Sequence, residues 1–368
     1  MQRCVNVIGV GMSPFNPATL GPDPPALIGA TIRQALKDAG VCASNLSAVY
    51  AVTGMTDSAT LQCALQREAL AQVPLFHFTP ASAEGSALFY RACQAIALGQ
   101  AQSILVLGVQ SASALPTQGL AIEQLGAAAR EYMERYQARQ ETFAMIAVKA
   151  RQHAALNPLS AFNSTLTLEQ VLEARQICGP LTHPQFAWAS SGVAAVLLCS
   201  SELARRLDSR AVVRIAAQAC VSRQQVQGQE QGTIFAGVDY DVNVAAAQEL
   251  YEQAGRGPQE VDVCELHDIS TVSELLLYEA LGFCPEGSGE KLIEDGDNTY
   301  DGNLIVNPSG GLLALGQASA ASALAQCIEL VHHLRGTAGR RQVVQAQLAL
   351  QHQTGADGTV TATLYQRA

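Results

Sequence analysis

One order of elements is written twice into this 368-residue chain, and that repetition restricts its fold more than any single motif. In the first half, Gln34-Ala35-Leu36-Lys37-Asp38-Ala39-Gly40 reads as the end of an amphipathic helix stopped by glycine, and Leu46-Ser47-Ala48-Val49 as the approach to a strand. In the second half, Gln248-Glu249-Leu250-Tyr251-Glu252-Gln253-Ala254-Gly255 and Val261-Asp262-Val263-Cys264 repeat that order. Ser86-Ala87-Leu88 then opens a helix that runs to Gly99, ahead of an apolar strand over 103–109. Its counterpart is Ser322-Ala323-Leu324, ahead of a helical Cys327–Leu334 and a strand-like Val343–Leu350. Two matches in the same order predict a duplicated domain. With strands over 5–10 and 47–53 and a helix over 25–40, the alternation implies an α/β fold whose sheets are covered on both faces.

Between the halves the pattern changes. Gly126–Tyr136 and Glu141–His153 read as helices carrying most of the local charge, and a polar stretch with Asn157-Pro158 and Gly179-Pro180 follows. Inserts of this length on a rigid scaffold commonly form lids or binding loops. The reading divides the chain into a first half (1–115), an inserted loop domain (116–190), a return to the first half (191–225) and a second half (226–368).

Composition narrows the function. Hydrophobic residues make up 48% and charged residues 15%, which fits a packed globular chain. Acidic side chains outnumber basic ones by 32 to 22, and the only lysines are Lys37, Lys149 and Lys291, which argues against nucleic-acid binding. A few arginines or helix N-termini still suffice for an anionic small molecule. Ten cysteines are scattered without a Cys-x-x-Cys pair, as expected of free thiols in a reducing compartment. No apolar run approaches the length of a membrane span, and neither a secretory signal nor a Ser-Lys-Leu terminus is present, so the expected location is cytoplasmic.

Longer motifs carry a family resemblance. Glu265-Leu266-His267-Asp268, Tyr278-Glu279-Ala280-Leu281-Gly282-Phe283-Cys284-Pro285-Glu286-Gly287, Gly296-Asp297-Asn298-Thr299-Tyr300 and Asn307-Pro308-Ser309-Gly310-Gly311 together resemble the thiolase superfamily, in the branch of the thiolase part of sterol carrier protein X. The resemblance extends through Ala128–Tyr136 and Gly179-Pro180-Leu181-Thr182 to Leu350-Gln351-His352. It implies a thiolase fold, two duplicated halves packed as a five-layered αβαβα sandwich with an inserted loop domain, and usually a homodimer. The carrier domain that follows the thiolase in some relatives is expected to be absent, since the chain stops at 368.

The chemistry of that family does not transfer intact. Thiolases place a nucleophilic cysteine at a helix N-terminus, where dipole and backbone N–H groups favour a thiolate. The resemblance puts Ser82 at that position, Gln317 at the histidine of the Gly-His-Pro motif, Ile269 at a second cysteine after His-Asp, and Ser190-Ser191-Gly192 at a Ser-Asp-Gly motif. Glutamine takes no proton at neutral pH and isoleucine exchanges none, so cysteine-dependent thiolysis is expected to be lost.

Ser82, His267 and His352 remain as candidate catalytic residues, with Ser82 as an acyl-accepting nucleophile activated by a histidine. The main-chain N–H groups of Ser82 and near Gly355 are the oxyanion donors the resemblance implies. Gly310, Gly311, Gly316, Gln317 and Gly355 are the candidate substrate-binding positions. The competing reading of Ser82 is a helix cap, and that of the histidines an inherited scaffold. Glu84 reads as a base or as a first-turn complement to the helix dipole. Trp188 reads as a tunnel wall or a packing residue, and His332-His333 as a solvated helix face.

The expected function is acyl transfer on CoA- or carrier-linked acyl groups in lipid or secondary metabolism, with the thioester as substrate and no resident cofactor. Retro-aldol carbon–carbon cleavage with Tyr300 as acid/base is one alternative. A non-catalytic lipid- or acyl-CoA-binding subunit of a complex, with a small OB-fold protein as the partner the resemblance implies, is the other.

Overall fold

The computed structural model describes residues 3–79, 84–112, 119–207, 212–223 and 238–368. The first four strands are β1 (Val5–Met12), β2 (Ala48–Gly54), β3 (Leu75–Phe78) and β4 (Ser103–Gln110). The inserted segment contributes a separate hairpin, β5 (Gln176–Cys178) with β6 (Leu181–Thr182). The chain then returns as β7 (Gly192–Ser200), and the second half supplies β8 (Val213–Val221), which lies in the 191–225 stretch assigned above to the first half but pairs with β12, then β9 (Val263–Glu265), β10 (Ile305–Val306), β11 (Leu348–Thr354) and β12 (Val360–Arg367).

Ten of these strands form one sheet in the order β10-β9-β11-β12-β8-β1-β7-β4-β2-β3. Counted from the first strand of each half, both five-strand halves read 3-2-4-5-1. Both also share the same sense of pairing. The third, second and fourth strands run parallel, whereas the fifth is antiparallel to the fourth and to the first. The halves meet where β1 and β8 pair antiparallel through Asn6 with Arg214 and Val7 with Val213. The duplication read from the sequence is therefore a duplication of topology.

Side-chain alternation sets the layers. Along β4, Ile104 and Val106 point into a central core while Leu105, Leu107 and Val109 point into an outer one. A strand buried on both faces has no polar side to show, which is why this stretch reads as a continuous apolar run. The central core holds the helices Gly85–Ala97 and Ser322–Arg335, the equivalent helices of the two halves, through Leu88, Phe89, Ile96, Leu324, Ile328 and Val331. Helices Pro24–Ala39 and Ser58–Arg67 cover the outer face of the first half. Tyr240–Ala254 and Thr271–Ala280 cover the second. Helix, sheet, helix, sheet and helix make the five layers of a thiolase fold.

Two local expectations are corrected. The apolar run Val343–Leu350 is not one strand: Gln345 takes a left-handed φ of 57°, Val343 and Ala346 turn into the central core, and β11 begins only at Leu348. His333 does not lie on a solvated face, because its helix belongs to the middle layer; it is buried and its Nδ1 accepts the Val343 N–H at 3.0 Å.

The inserted segment packs through its second helix, Gln140–Ala154. Lys149 on that helix is buried and pairs with Glu274, which also takes hydrogen bonds from Tyr278 and from Asn307 Nδ2. Among the described residues no helix is long and apolar enough to cross a membrane.

The two halves approach closely where Gly108 of β4 faces the turn before Ser322. A Cβ on Gly108 would lie 2.1 Å from the Ala320 carbonyl oxygen, a backbone atom with no flexible end to move aside. Gly108→Ala is expected to lower stability by at least about 2 kcal/mol, read as a fall in the urea midpoint at unchanged slope.

Candidate functional site

The candidate site is assembled where the second half's strand ends meet the helix Gly85–Ala97. β9 ends at Glu265, and the next residues, Leu266-His267-Asp268-Ile269-Ser270, form a connector with alternating duties. Asp268 is fully buried and accepts the N–H groups of Leu312 at 2.7 Å and Leu313 at 3.3 Å. Ser270 caps the helix Thr271–Ala280 by accepting the Ser273 N–H at 3.2 Å. Those anchors leave His267 and Ile269, the alternate residues, to line a cleft of about 220 Å³.

The lining mixes two kinds of side chain. Leu125, Val238, Ile269, Leu276 and Leu277 are apolar. Asn243, Gln317, Ser319, Ser322 and Gln353 present amides and hydroxyls opposite them in chemical character. Gln317 is held by its backbone, since its N–H donates to Trp188 O at 2.9 Å and its carbonyl accepts the Ser190 N–H at 2.8 Å. No cysteine is present among the described lining residues, and no cluster of groups suited to a metal ion occurs among the described residues.

The charged groups of the lining are few. Arg223 donates to Asp239 at 2.6 Å, so these two largely offset one another. His267 is pushed down to about 4 by burial, which keeps its imidazole neutral at physiological pH. Glu84 occupies the N-cap position of the helix Gly85–Ala97 without capping it through its side chain. Its Oε1 instead accepts the Ala356 N–H at 3.2 Å. Burial, with a smaller contribution from the charge of Asp357, raises the Glu84 carboxyl above the usual range.

Of the residues singled out in the sequence, His267, Gln317 and Gly355 line this cleft together. Ser82 lies outside the described residues. Gly355 uses its N–H on Thr359 O at 2.8 Å, and the neighbouring Ala356 N–H is taken by Glu84, so both groups near the expected oxyanion position are engaged.

His352 does not line the cleft. It is fully buried in β11, with Nε2 at 2.8 Å from Asn243 Oδ1, and reaches the cleft only through that asparagine. Gly310, Gly311 and Gly316 also lie outside the lining, and their close approaches are to the protein itself. A Cβ on Gly311, whose φ is +62°, would meet Asp268 Oδ2 at 2.1 Å, and one on Gly316 would meet Ser190 Oγ at 2.6 Å. Tyr300 packs its ring on His153 and donates to Pro308 O at 3.3 Å, away from the lining. Trp188 stacks on His183 at 4.3 Å, which makes it a packing residue.

Asn243, Gln353, Arg223 and Asp239 escaped the sequence reading. Only Gln353, adjacent to His352, carried a signal: in a strand the neighbour of an inward residue faces the other way.

Comparison with known proteins supplies the wider setting. The thiolase C-terminal domain-like family profile matches residues 227–365. Sterol carrier protein 2 of Bos taurus is 36% identical over 395 residues, spanning 100% of this chain and 73% of that protein. The benzoylsuccinyl-CoA thiolase subunit BbsB of Thauera aromatica is 30% identical over 374 residues, spanning 96% of this chain and 95% of its own length. Among solved structures, an Ltp2–ChsH2(DUF35) aldolase superposes with a TM-score of 0.82 at 24% identity, over 99% of this chain and 98% of that one.

Burial lowers the His352 imidazole to about 3 from an ordinary 6.5, with the nearby His267 adding to the effect. The folded chain then binds fewer protons than the unfolded chain between those values, so this site withdraws stability as pH falls through 6.5. The stability advantage of wild type over His352→Gln is expected to shrink by about 2 kcal/mol from pH 7 to pH 5, measured by urea unfolding at both.

Proposed function

Because the chain belongs to the thiolase superfamily, in the branch of the sterol carrier protein 2 relatives, we propose that its cleft takes CoA- or carrier-linked acyl groups and processes them without a catalytic cysteine. The observation that carries this reading is the pairing of one neutral histidine and one carboxyl, His267 and Glu84, in a cleft whose described lining holds no thiol. The apolar lining residues suit an acyl chain, and the amides and hydroxyls of the lining suit the thioester carbonyl and the amide groups that follow it.

A neutral His267 donates a hydrogen bond to a thioester oxygen without first acquiring a proton, which is what polarising a carbonyl requires. Gln317 and Ile269 move no proton, so thiolysis through a second acid/base is not part of the reading. Within it, acyl transfer runs through Ser82 Oγ to a second nucleophile, water included. Homodimer formation and a partner chain belong to the same proposal, the latter supported by a relative that is itself named as a subunit.

Carbon–carbon cleavage next to the thioester is the second reading, favoured by the position of Glu84 in the cleft. It needs a proton carrier and a carbonyl-polarising donor but no acyl-enzyme. A binding-only subunit would hold the thioester and change nothing in it.

Intact-protein mass spectrometry after incubation with a panel of acyl-CoAs and acyl-carrier proteins tests the first reading, with calorimetry alongside. An acyl adduct in wild type that is missing from Ser82→Ala is the expected result. Thioester binding without any adduct would remove the acyl-serine step, and absence of binding across the panel would overturn the proposal as a whole.

A further inference from the structure

Glu84 is the feature of the cleft that neither helix capping nor ion pairing explains. The side chains that cap helices, those of Ser, Thr, Asp and Asn, accept an N–H of the first turn. Glu84 holds the N-cap position of a thirteen-residue helix, yet its side chain makes no such bond. It reaches across to the 355–358 turn instead, with Oε1 on the Ala356 N–H at 3.2 Å. There it lines the same cleft as His267. The other lining carboxylate, Asp239, is committed to Arg223 at 2.6 Å. Glu84 is therefore the lining carboxylate that no cation neutralises among the described ion pairs.

The charge balance around it points to proton transfer. The titratable groups that share the described lining with Glu84 are the neutral His267, Tyr240, whose hydroxyl burial pushes up, and the mutually paired Arg223 and Asp239; Asp357 is the charge that acts on Glu84 directly. Burial and the Asp357 charge raise the carboxyl, whereas the single Ala356 N–H lowers it; the net shift is upward, toward working pH. That is the direction in which a carboxyl becomes a better-matched base and acid.

We propose that Glu84 is the catalytic acid–base of this cleft, exchanging a proton with the α-carbon of a bound acyl thioester. The inference rests on the reading that the cleft takes acyl thioesters. The Glu84 carboxylate removes one α-proton, and the C–H electron pair passes into the thioester as an enolate. The enolate oxygen is held by the His267 N–H. Return of the proton from the Glu84 carboxyl restores the thioester, so the exchange consumes no other reactant. The same enolate is the species that forms or receives a carbon–carbon bond at that carbon.

Octanoyl-CoA incubated with the protein in D2O reads this step directly, as deuterium at C2 found by mass spectrometry of the recovered thioester. Wild type is expected to label C2, and Glu84→Gln to slow labelling by about 10²–10⁴-fold, the usual weight of general acid–base catalysis. Glutamine is the informative substitution because its Oε1 still accepts the Ala356 N–H, which preserves any role of Glu84 in holding the turn. Glu84→Asp should restore part of the rate. The rise of labelling with pH through the Glu84 ionisation should disappear in Glu84→Gln. Calorimetry with octanoyl-CoA accompanies each variant.

Labelling in Glu84→Gln at the wild-type rate, or no labelling by a wild type that binds octanoyl-CoA, would overturn the role of Glu84 and leave the thioester reading in place. Failure of wild type to bind octanoyl-CoA and octanoyl-loaded carrier protein would overturn both.

Discussion

Three carboxylates with no solvent exposure, Glu265, Asp268 and Glu274, anchor the end of β9 and everything that follows from it. Glu265 takes both the N–H and the hydroxyl of Ser309, at 2.9 and 2.8 Å. Asp268 holds the start of the helix Gly311–Leu315, and Glu274 joins Lys149 of the inserted segment to Asn307. Asn307 closes the circuit by accepting the Leu266 N–H at 2.7 Å. Removing one partner of the buried Lys149–Glu274 pair would strand the other charge, at a typical cost of about 3–5 kcal/mol, while burial raises the Glu265 and Asp268 carboxyls and makes their hydrogen-bond partners necessary. The Asn307-Pro308-Ser309-Gly310-Gly311 stretch is, in this light, a set of matched donors and close approaches for carboxylates.

That anchoring holds the connector that lines the cleft. His267 and Ile269 line the cavity while Asp268 and Ser270, the residues that alternate with them, are tied to the protein by hydrogen bonds. The lining holds an imidazole kept neutral by burial and a carboxyl raised by it, both consequences of the same poorly hydrated space.

Much of the fold was legible in the sequence because the relevant signals are local. The helix ends at Gly40 and Gly255 both adopt left-handed backbone, with φ of 67° and 61°, as a glycine stop implies. Apolar runs such as 103–109 and helices such as 25–40 were visible from periodicity, and the repetition of their order anticipated two sheet halves of the same topology. Val343–Leu350 was misread because a left-handed Gln345 leaves no mark in an apolar pattern. His333 was misread because its helix lies in the middle layer and is buried along nearly its whole length, whereas the local His332-His333-Leu334-Arg335 run suggests a wet face.

The site was legible in part. His267, Gln317 and Gly355 come together in one cleft, and the sequence by itself determined that this cleft belongs to a thiolase-like scaffold without the thiolase proton-transfer groups at those positions. Which residues face the cavity was decided only by tertiary structure. His352 sits behind Asn243, Gly310 packs against Ala154 and Gly311 against Asp268, and Glu84 turns from its own helix to a turn 272 residues away. The physical reason is range: periodicity, caps and glycine stops act over a few residues, whereas cavity walls are made by elements brought together from distant parts of the chain.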